Sequence, residues 1–334
     1  MKALLAAPLL LLIAAQDSPV ETTDGPVYTD APEMAVDPAR PKGSLHAFVM
    51  RSEDSKLYPG IRQLQNDVTA RRDAYGNRIA APADQQSEPA PYRREVYVYL
   101  PAGTKPGALL PFMVVQDGPG YAARVALALD SLIAEHRVPA MAAILIQSGG
   151  GDAQGSERGL EYDTLSGRYA EFVESEVLPR VEANYRIRLR RDPAGRATMG
   201  GSSGAAAAWS MAWFHPEWYR RVLSYSGTFV NQQSPADPAT PEGAWDYHAH
   251  LIPESAAKPI RIWMQVGEKD LHWNDPESTF HNWPLANARM AAALKAKGYT
   301  YRYIFSKDAV HVDPRVVAET LPGAIEWLWA DYRR

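Results

Sequence analysis

The sequence predicts an α/β protein whose central sheet is mostly parallel and carries helices on both faces. Three observations predict this fold class. Short apolar runs rich in Val, Ile and Tyr recur from Arg94 onward, helical patterns alternate with them, and a glycine-serine turn joins one strand candidate to the next helix candidate. Alternating strands and helices are typical of parallel sheets that helices cover on both sides.

The strand candidates are recognised by their length and by their β-branched and aromatic content. They lie at 95–101, 111–116, 140–147, 196–200, 222–227, 260–266 and 299–305. Apolar residues within 169–181 share one helical face, and an Ala- and Leu-rich helix is predicted over 284–297. The last helix is predicted to carry Pro322 near its first turn, where a missing N–H costs nothing. One domain would then cover residues 92–334.

The first 91 residues lack this alternation. Residues 1–15 join one lysine to an apolar run of roughly a dozen residues, which is too short to span a bilayer. Small residues follow, so a secretory signal peptide cut near Ala15 is predicted, with a buried N-terminal helix as the alternative. Residues 16–41 predict a mobile leader, 45–50 a weak strand, and 62–91 a polar surface insertion. An export signal predicts a periplasmic or secreted protein.

Composition excludes several classes of site and partner. The chain has 334 residues, of which 46% are hydrophobic and 22% charged, so it can bury a large core. It has no cysteine, which excludes disulfides, thiolate metal sites and a cysteine nucleophile. The formal net charge of -4 argues against nucleic-acid binding, which usually requires a basic surface.

The glycine-serine turn carries the main functional signal. Residues 200–204 read Gly-Gly-Ser-Ser-Gly and fit the pattern G-x-S-x-G, with Ser202 at its centre. Between a strand and a helix, this pattern is typical of the strained turn that exposes the nucleophile of an α/β-hydrolase. The small residues let the turn close, and the following helix points its first N–H groups toward the reacting oxygen. A tight packing turn without chemistry is the alternative.

A nucleophilic serine needs a base, and the base needs an orienting carboxylate. In α/β-hydrolases the acid and then the histidine follow the serine along the chain. Asp270 follows the strand candidate at 260–266 and is the predicted acid, with Glu268 as the runner-up. His311 follows the last strand candidate and is the predicted base. A solvated loop carboxylate is the alternative for Asp270.

Two N–H donors are expected to stabilise the oxyanion. One is the N–H of Ser203. The other is predicted in the turn after residues 111–116, where Pro119 has no N–H, so the donor is Gly118, Gly120 or Tyr121, or the Tyr121 hydroxyl. Gly118 is the first choice, and a plain turn is the alternative.

A second histidine motif gives a weaker signal. His248 and His250 form H-x-H, which alone suggests a metal site. No third ligand stands at a telling spacing, so a hydrogen-bonded loop pair is the favoured interpretation.

Several segments in order resemble the putative esterase family, within the esterase D and enterochelin-esterase-like branch of the α/β-hydrolases. They include EVYVYLPAG, PFMVVQDGPGY, GRATMGGSSGAAAAWSMAWFHPEWYRRVLSYSG and IRIWMQVGEKDLHW, and the likeness spans the last two-thirds of the chain. The resemblance implies a Ser202–Asp270–His311 hydrolase without metal or cofactor. Two features depart from the family pattern: Pro119 stands where many members have glycine, and the segment around His311 lacks a glycine-rich flank.

The function expected is that of an exported serine carboxylic-ester hydrolase acting on a small-molecule or carbohydrate ester. The family includes siderophore esterases, feruloyl and acetylxylan esterases and mycolyltransferases, and fold does not choose among them. An acyltransferase and a non-catalytic binding protein are the alternatives. Four aromatic residues are predicted to line the substrate pocket, with a core position as the alternative: Tyr121, Trp273 and Trp283, with Trp245 as a further candidate. His272, which lies close to the acid candidates in the sequence, is also predicted to line the pocket.

Overall fold

A computed structural model describes residues 20–62, 88–149, 157–233 and 236–332 of the chain. Within these residues the strands are β1 (Val20–Asp24), β2 (Ser44–Arg51), β3 (Ile61–Arg62), β4 (Glu88–Pro89), β5 (Arg93–Leu100), β6 (Leu109–Leu110), β7 (Phe112–Gln116), β8 (Ala142–Ile146), β9 (Arg188–Leu189), β10 (Arg196–Gly201), β11 (Arg221–Tyr225), β12 (Arg261–Gly267) and β13 (Thr300–Ser306).

The helices of the same residues are α1 (Gly118–Ala134), α2 (Glu157–Tyr162), α3 (Arg168–Phe172), α4 (Leu178–Tyr185), α5 (Ser203–Phe214), α6 (Ile252–Glu254), α7 (Trp283–Ala296) and α8 (Pro314–Trp329). A π-helical turn, Val173–Val177, joins α3 to α4, so the amphipathic pattern predicted at 169–181 is one nearly continuous helical segment.

The central sheet of the described chain has nine strands in the order β1-β13-β12-β11-β10-β7-β8-β5-β2. All neighbours run parallel except β8–β5 and β5–β2, which are antiparallel. The parallel strands β7, β8, β10, β11 and β12 are buried along their whole length. The predicted α/β class with a mostly parallel sheet is confirmed.

Helices cover both faces of the sheet. One apolar cluster packs α1 and α8 against alternate strand residues such as Met113, Val115 and Leu145. The other packs α5 and α7 against the intervening residues, including Phe112 and Val114. Side chains alternate between faces along a strand, so the continuous apolar runs of the sequence supply both clusters.

The prediction of a mobile leader at 16–41 is wrong for residues 20–24, which form strand β1. Strand β1 adds to the sheet edge in parallel register with β13, with Val20 opposite Arg302 and Asp24 opposite Ser306. The sequence of β1, VETTD, is polar, because an edge strand is held by backbone hydrogen bonds and needs no apolar run. The weak strand predicted at 45–50 is present as β2, one residue longer at each end.

The start predicted for the last helix is also wrong. Helix α8 begins at Pro314, with the Asp313 side chain accepting the N–H of Arg315, and Pro322 lies inside it. Proline removes the N–H that would bond the carbonyl four residues earlier. The N–H of Ala31 donates to that Ala318 carbonyl at 3.1 Å instead, so the N-terminal segment satisfies the group that Pro322 leaves open.

The predicted signal peptide and most of the predicted polar insertion lie outside the described residues. The ends of the insertion meet as a two-stranded ribbon, in which Ile61 pairs with Pro89 and Arg62 with Glu88. Within the described ranges, no helix combines the length and apolar character needed to cross a bilayer.

Parallel strands bring their carboxyl ends to one edge of the sheet. Strands β7, β10, β12 and β13 end immediately before the turns that carry Gly118, Ser202, Asp270 and His311. The fold therefore gathers the predicted site residues at one edge, where ligands of open α/β sheets bind.

Candidate active site

The turn between β10 and α5 places Ser202 in a strained conformation. Its φ is 57° and its ψ is −132°, a region that non-glycine residues rarely occupy. A Cβ added to Gly200 would lie 2.2 Å from the carbonyl carbon of Gly204, so only glycine lets helix and strand approach this closely. The Ser202 N–H donates to the Tyr225 carbonyl at 2.9 Å, which fixes the turn to the neighbouring strand.

Asp270 and His311 meet in two loops beyond β12 and β13. Asp270 is buried, and its Oδ1 lies 2.5 Å from His311 Nδ1 and accepts the N–H of Leu271 at 2.7 Å. A carboxylate only accepts hydrogen bonds, so Nδ1 carries the proton and Nε2 is left as the basic nitrogen. The runner-up Glu268 is partly exposed and binds Lys307 and the N–H of Asp308 instead.

The histidine loop packs directly on the serine turn. A Cβ added to Gly201 would lie 2.9 Å from Cγ1 of Val312, the residue after His311. Val312 itself has a φ of 45°, which is rare for a β-branched residue, and its N–H donates to Ser226 Oγ at 2.9 Å. Loop and turn are thus joined one residue from each predicted catalytic group.

Ser202 and His311 share no direct hydrogen bond in the described part of the chain. The Ser202 hydroxyl instead lies 3.4 Å from Thr228 Oγ1, a long contact for two hydroxyl groups. Catalytic hydrogen bonds in unliganded sites are often long and tighten only with substrate. Thr228, whose N–H also donates to the Ser202 carbonyl at 3.2 Å, was not predicted from the sequence, because no spacing rule links it to the serine.

Both predicted oxyanion donors begin helices at this edge. Ser203 is the first residue of α5, and Gly118 is the first residue of α1. A Cβ on Gly118 would lie 2.1 Å from the carbonyl carbon of Leu145, so α1 starts in close contact with β8. The N–H of Gly120, one of the alternatives, donates to the Asp117 carbonyl at 3.1 Å.

The comparison with protein families shows which family the chain belongs to. Residues 87–313, more than half of the chain, match the family model described as Putative esterase. The chain belongs to the putative esterase family. The comparison with curated proteins gave no match.

Solved structures with the fold of this putative esterase include enterobactin and feruloyl esterases. The enterobactin esterase FES from Shigella flexneri, solved with 2,3-dihydroxy-N-benzoyl-serine, is 21% identical over 71% of this chain, with a TM-score of 0.54. That match covers 56% of the enterobactin esterase, so this chain spans about half of that relative's length.

Two further structures match nearly whole. A ferulic acid esterase is 16% identical, covering 86% of this chain and 98% of its own, with a TM-score of 0.55. A mutant feruloyl esterase module from Clostridium thermocellum, complexed with sinapinate, is 12% identical, covering 96% and 97%, with a TM-score of 0.55. At these identities the likeness establishes the fold.

The predicted pocket aromatics of this putative esterase divide by exposure. Trp273 is 53% exposed, and the His272 side chain is 46% exposed with its Nδ1 bound to Asp275 Oδ2 at 2.8 Å. Trp283 is buried, and its ring packs at 89° to His311 with 6.0 Å between centroids. Tyr121 is buried too, and its hydroxyl would lie 2.3 Å from a Cβ added to Gly201. Only His272 and Trp273 keep substantial exposed surface.

The remaining aromatic candidate and the H-x-H pair belong to the protein interior and surface. Trp245 is buried against His248, with ring centroids 4.6 Å apart. Burial lowers the pKa of His248 to about 3, and its Nε2 lies 3.2 Å from the Phe229 carbonyl. His250 is exposed beside Glu254. The pair lies in a π-helical turn, so the predicted loop is wrong, and the described residues contain no group of three potential metal ligands.

Sequence reasoning missed a polar cluster beside the serine turn. Arg158 binds both carboxylate oxygens of Asp117, at 3.2 and 2.8 Å. Asp163, which follows α2, is buried and accepts a hydrogen bond from the side-chain amide of Gln232 at 3.3 Å. The same amide lies 3.3 Å from Ser203 Oγ. These residues are far apart in sequence and follow no motif, so only the folded chain brings them together.

Proposed function

We propose that the chain is an exported serine carboxylic-ester hydrolase that uses Ser202, His311 and Asp270. One observation carries the proposal: His311 Nδ1 bonds to the buried Asp270 carboxylate in a loop that packs against the strained Ser202 turn. A basic Nε2, an anchored imidazole and an accessible hydroxyl are the three requirements of nucleophilic acyl transfer. Membership of the putative esterase family supports the same reaction.

The reaction proceeds in two balanced halves. His311 Nε2 takes the Ser202 proton as Oγ attacks the ester carbonyl, and it then gives that proton to the departing alcohol oxygen. The acyl-enzyme is left. Water next attacks it, His311 takes one water proton, and that proton returns to Ser202 Oγ as the carboxylic acid leaves. Asp270 stabilises the imidazolium that forms in each half.

Both tetrahedral intermediates carry a negative oxygen. The N–H groups at the starts of α5 and α1, on Ser203 and Gly118, are the donors that would face it. The partial positive charge of a helix N-terminus adds to their effect.

We assign the acyl group to hydroxylated aromatic acids, such as those of phenolic or siderophore esters. Support comes from two structural neighbours that were solved with aromatic acyl compounds, and from the exposed ring of Trp273 near Asp270. A feruloyl ester should then be cleaved with a higher kcat/KM than the matching acetyl ester. Equal or lower kcat/KM for the feruloyl ester would contradict this assignment.

Export is proposed from the sequence of residues 1–15. The mature protein recovered from the periplasm or medium should begin near residue 16 when its N-terminus is sequenced.

A fluorophosphonate probe tests the proposed nucleophile, because it labels only activated serines. The wild-type protein should be labelled on Ser202, and Ser202→Ala should not react. Ser203→Ala is the matched control, since it removes a neighbouring hydroxyl and keeps the N–H, and it should be labelled.

Two acidic variants test the orienting carboxylate in the same assay. Asp270→Asn should slow labelling by about 10³-fold or more, because a histidine without its acid partner loses the correct tautomer. Glu268→Gln removes the runner-up carboxylate and should react like wild type. An unlabelled wild-type protein would indicate a binding protein on this fold and would refute the hydrolase.

A further inference from the structure

A buried carboxyl, that of Asp163, lies close to the first turn of α5, the helix that follows Ser202. Asp163 is 3% exposed and accepts the Gln232 Nε2 amide at 3.3 Å. The same Gln232 amide donates to Ser203 Oγ at 3.3 Å, so the amide bridges the Asp163 carboxyl and the Ser203 hydroxyl. Ser203 is fully buried and follows Ser202 in the chain. The Gln232 amide thus links the three side chains of Asp163, Gln232 and Ser203, which we call the Asp163 triangle.

The charges that face Asp163 are few. Arg158 on α2 is the nearest cation, but its guanidinium already binds both oxygens of Asp117, the anion at the start of α1. Ser203 from α5 and Gln232 from the segment after β11 are neutral. One oxygen of Asp163, Oδ1, is buried without a hydrogen-bond partner among the described residues.

This environment disfavours a negative charge on Asp163. The pKa of the carboxyl is raised to about 7, because burial and the charge of Asp117 together outweigh Ser203, Arg158 and Gln232, which lower it. The unpartnered Oδ1 points in the same direction, since a buried carboxylate oxygen without a donor is costly and a protonated carboxyl is less so. The group is therefore neutral in acid and becomes charged as the pH rises past neutrality.

A charge at this position acts on the oxyanion. The first turn of α5 carries the Ser203 N–H and a partial positive charge, both of which favour a negative oxygen on the substrate. A carboxylate one side chain behind that N–H opposes the negative oxygen, whereas a protonated carboxyl does not.

We propose that Asp163 is a positioning residue that holds Ser203 and Gln232 against the start of α5, and that its ionisation slows acyl transfer to Ser202. The proposal rests on the ester hydrolysis proposed above. In that mechanism, Asp163 contacts neither the substrate nor the reacting atoms.

The test is the pH dependence of kcat/KM for an aryl ester, here p-nitrophenyl acetate followed at the isosbestic wavelength of the product. Wild-type kcat/KM should decline above neutral pH. Asp163→Asn keeps the hydrogen-bond acceptor but cannot ionise, so that decline should disappear. The ratio of variant to wild-type kcat/KM should rise about tenfold between pH 6 and pH 9, as expected when one ionisation near the reacting centre controls the rate.

A second variant tests the triangle independently. Ser203→Ala removes the neighbouring hydroxyl that lowers the pKa of Asp163, so the alkaline decline should move to higher pH. Asp30→Asn changes an exposed aspartate in the same way and is the control, with a profile parallel to wild type.

The outcomes separate this proposal from the one on which it rests. An active wild-type enzyme whose profile runs parallel to that of Asp163→Asn would overturn the role of Asp163 and leave the hydrolase standing. If Asp163→Asn fails to fold, an unshifted Ser203→Ala profile would overturn it equally. A wild-type protein without esterase activity would overturn both proposals.

Discussion

Two neighbouring turns at the sheet edge share a similar backbone geometry but hold their side chains differently. One joins β7 to α1 around Asp117, and the other joins β10 to α5 around Ser202. Each has a non-glycine residue at positive φ, 52° at Asp117 and 57° at Ser202. In each a neighbouring glycine, Gly118 or Gly200, lies so close to backbone that a Cβ would approach within 2.1 or 2.2 Å.

We call Asp117 and Ser202, the positive-φ residues of the two turns, the pivots. Their side chains differ in the hydrogen bonds that hold them. Asp117 is fixed by two hydrogen bonds from Arg158, whereas the Ser202 hydroxyl has one long contact with Thr228. The backbone differs as well. Asp117 has a ψ of 37° and lies in the left-handed helical region that aspartate tolerates, whereas Ser202, with a ψ of −132°, lies outside it. The two turns therefore share a sharp backbone, and the turn of the proposed nucleophile differs by a more strained conformation and by a hydroxyl that makes only a long contact.

The largest expected effect is a difference in catalytic activity between variants of the two pivots. Ser202→Ala should lower kcat by about 10⁴-fold or more, because it removes the nucleophile. Asp117→Asn should lower kcat less than about tenfold, since this carboxylate is occupied by Arg158 and meets no reacting atom in the proposed mechanism. Steady-state kinetics on one ester, with circular dichroism to check folding, measures both. Losses of similar size would remove the distinction between a reactive and a structural turn.

The close approach shared by both turns should be visible in stability. Gly118→Ala and Gly200→Ala should each lower the free energy of unfolding by about 3 kcal/mol, because the new methyl group meets backbone atoms that cannot move aside. Gly120→Ala is the matched control, since a Cβ there meets nothing within 4 Å. That variant should gain about 0.5–1 kcal/mol in urea denaturation, as alanine is the better helix residue. An unchanged Gly118→Ala variant would contradict the packing of α1 on β8.

Much of the fold follows from the sequence because buried parallel strands are apolar along their whole length. The strand candidates from 95 to 305 differ from the observed strands by at most two residues at either end. Strand β1 could not be predicted, since its polar residues are held by pairing with β13. The start of α8 was misplaced because Pro322 lies inside the helix, where the N–H of Ala31 bonds the Ala318 carbonyl that the proline leaves open, a contact that no local pattern encodes.

Some residues of the candidate site could likewise be predicted from the sequence, and others could not. The order and spacing of Ser202, Asp270 and His311 predict a contact between two loops, and the structure places the Asp270 and His311 side chains in hydrogen-bonding contact. Their catalytic roles remain predictions. Asp163 and Gln232 carry no recognisable motif, because their significance depends on burial beside Ser203, which only the tertiary structure supplies.

The smallest expected effect is a change in the free energy of unfolding, and it should have opposite signs when each pivot is replaced by glycine. Ser202→Gly should raise the free energy of unfolding by about 1–2 kcal/mol, because glycine relieves the strained φ and ψ and the lost hydroxyl contact is long. Asp117→Gly should lower it by about 2 kcal/mol, since left-handed aspartate is little strained and the paired hydrogen bonds from Arg158 are lost. Urea denaturation measures both, with Ser202→Ala, which keeps the strain, as the reference for the first. Changes of the same sign would mean that backbone strain does not distinguish the two turns, and the turn of the proposed nucleophile would then differ only by the long hydrogen-bond contact of its hydroxyl.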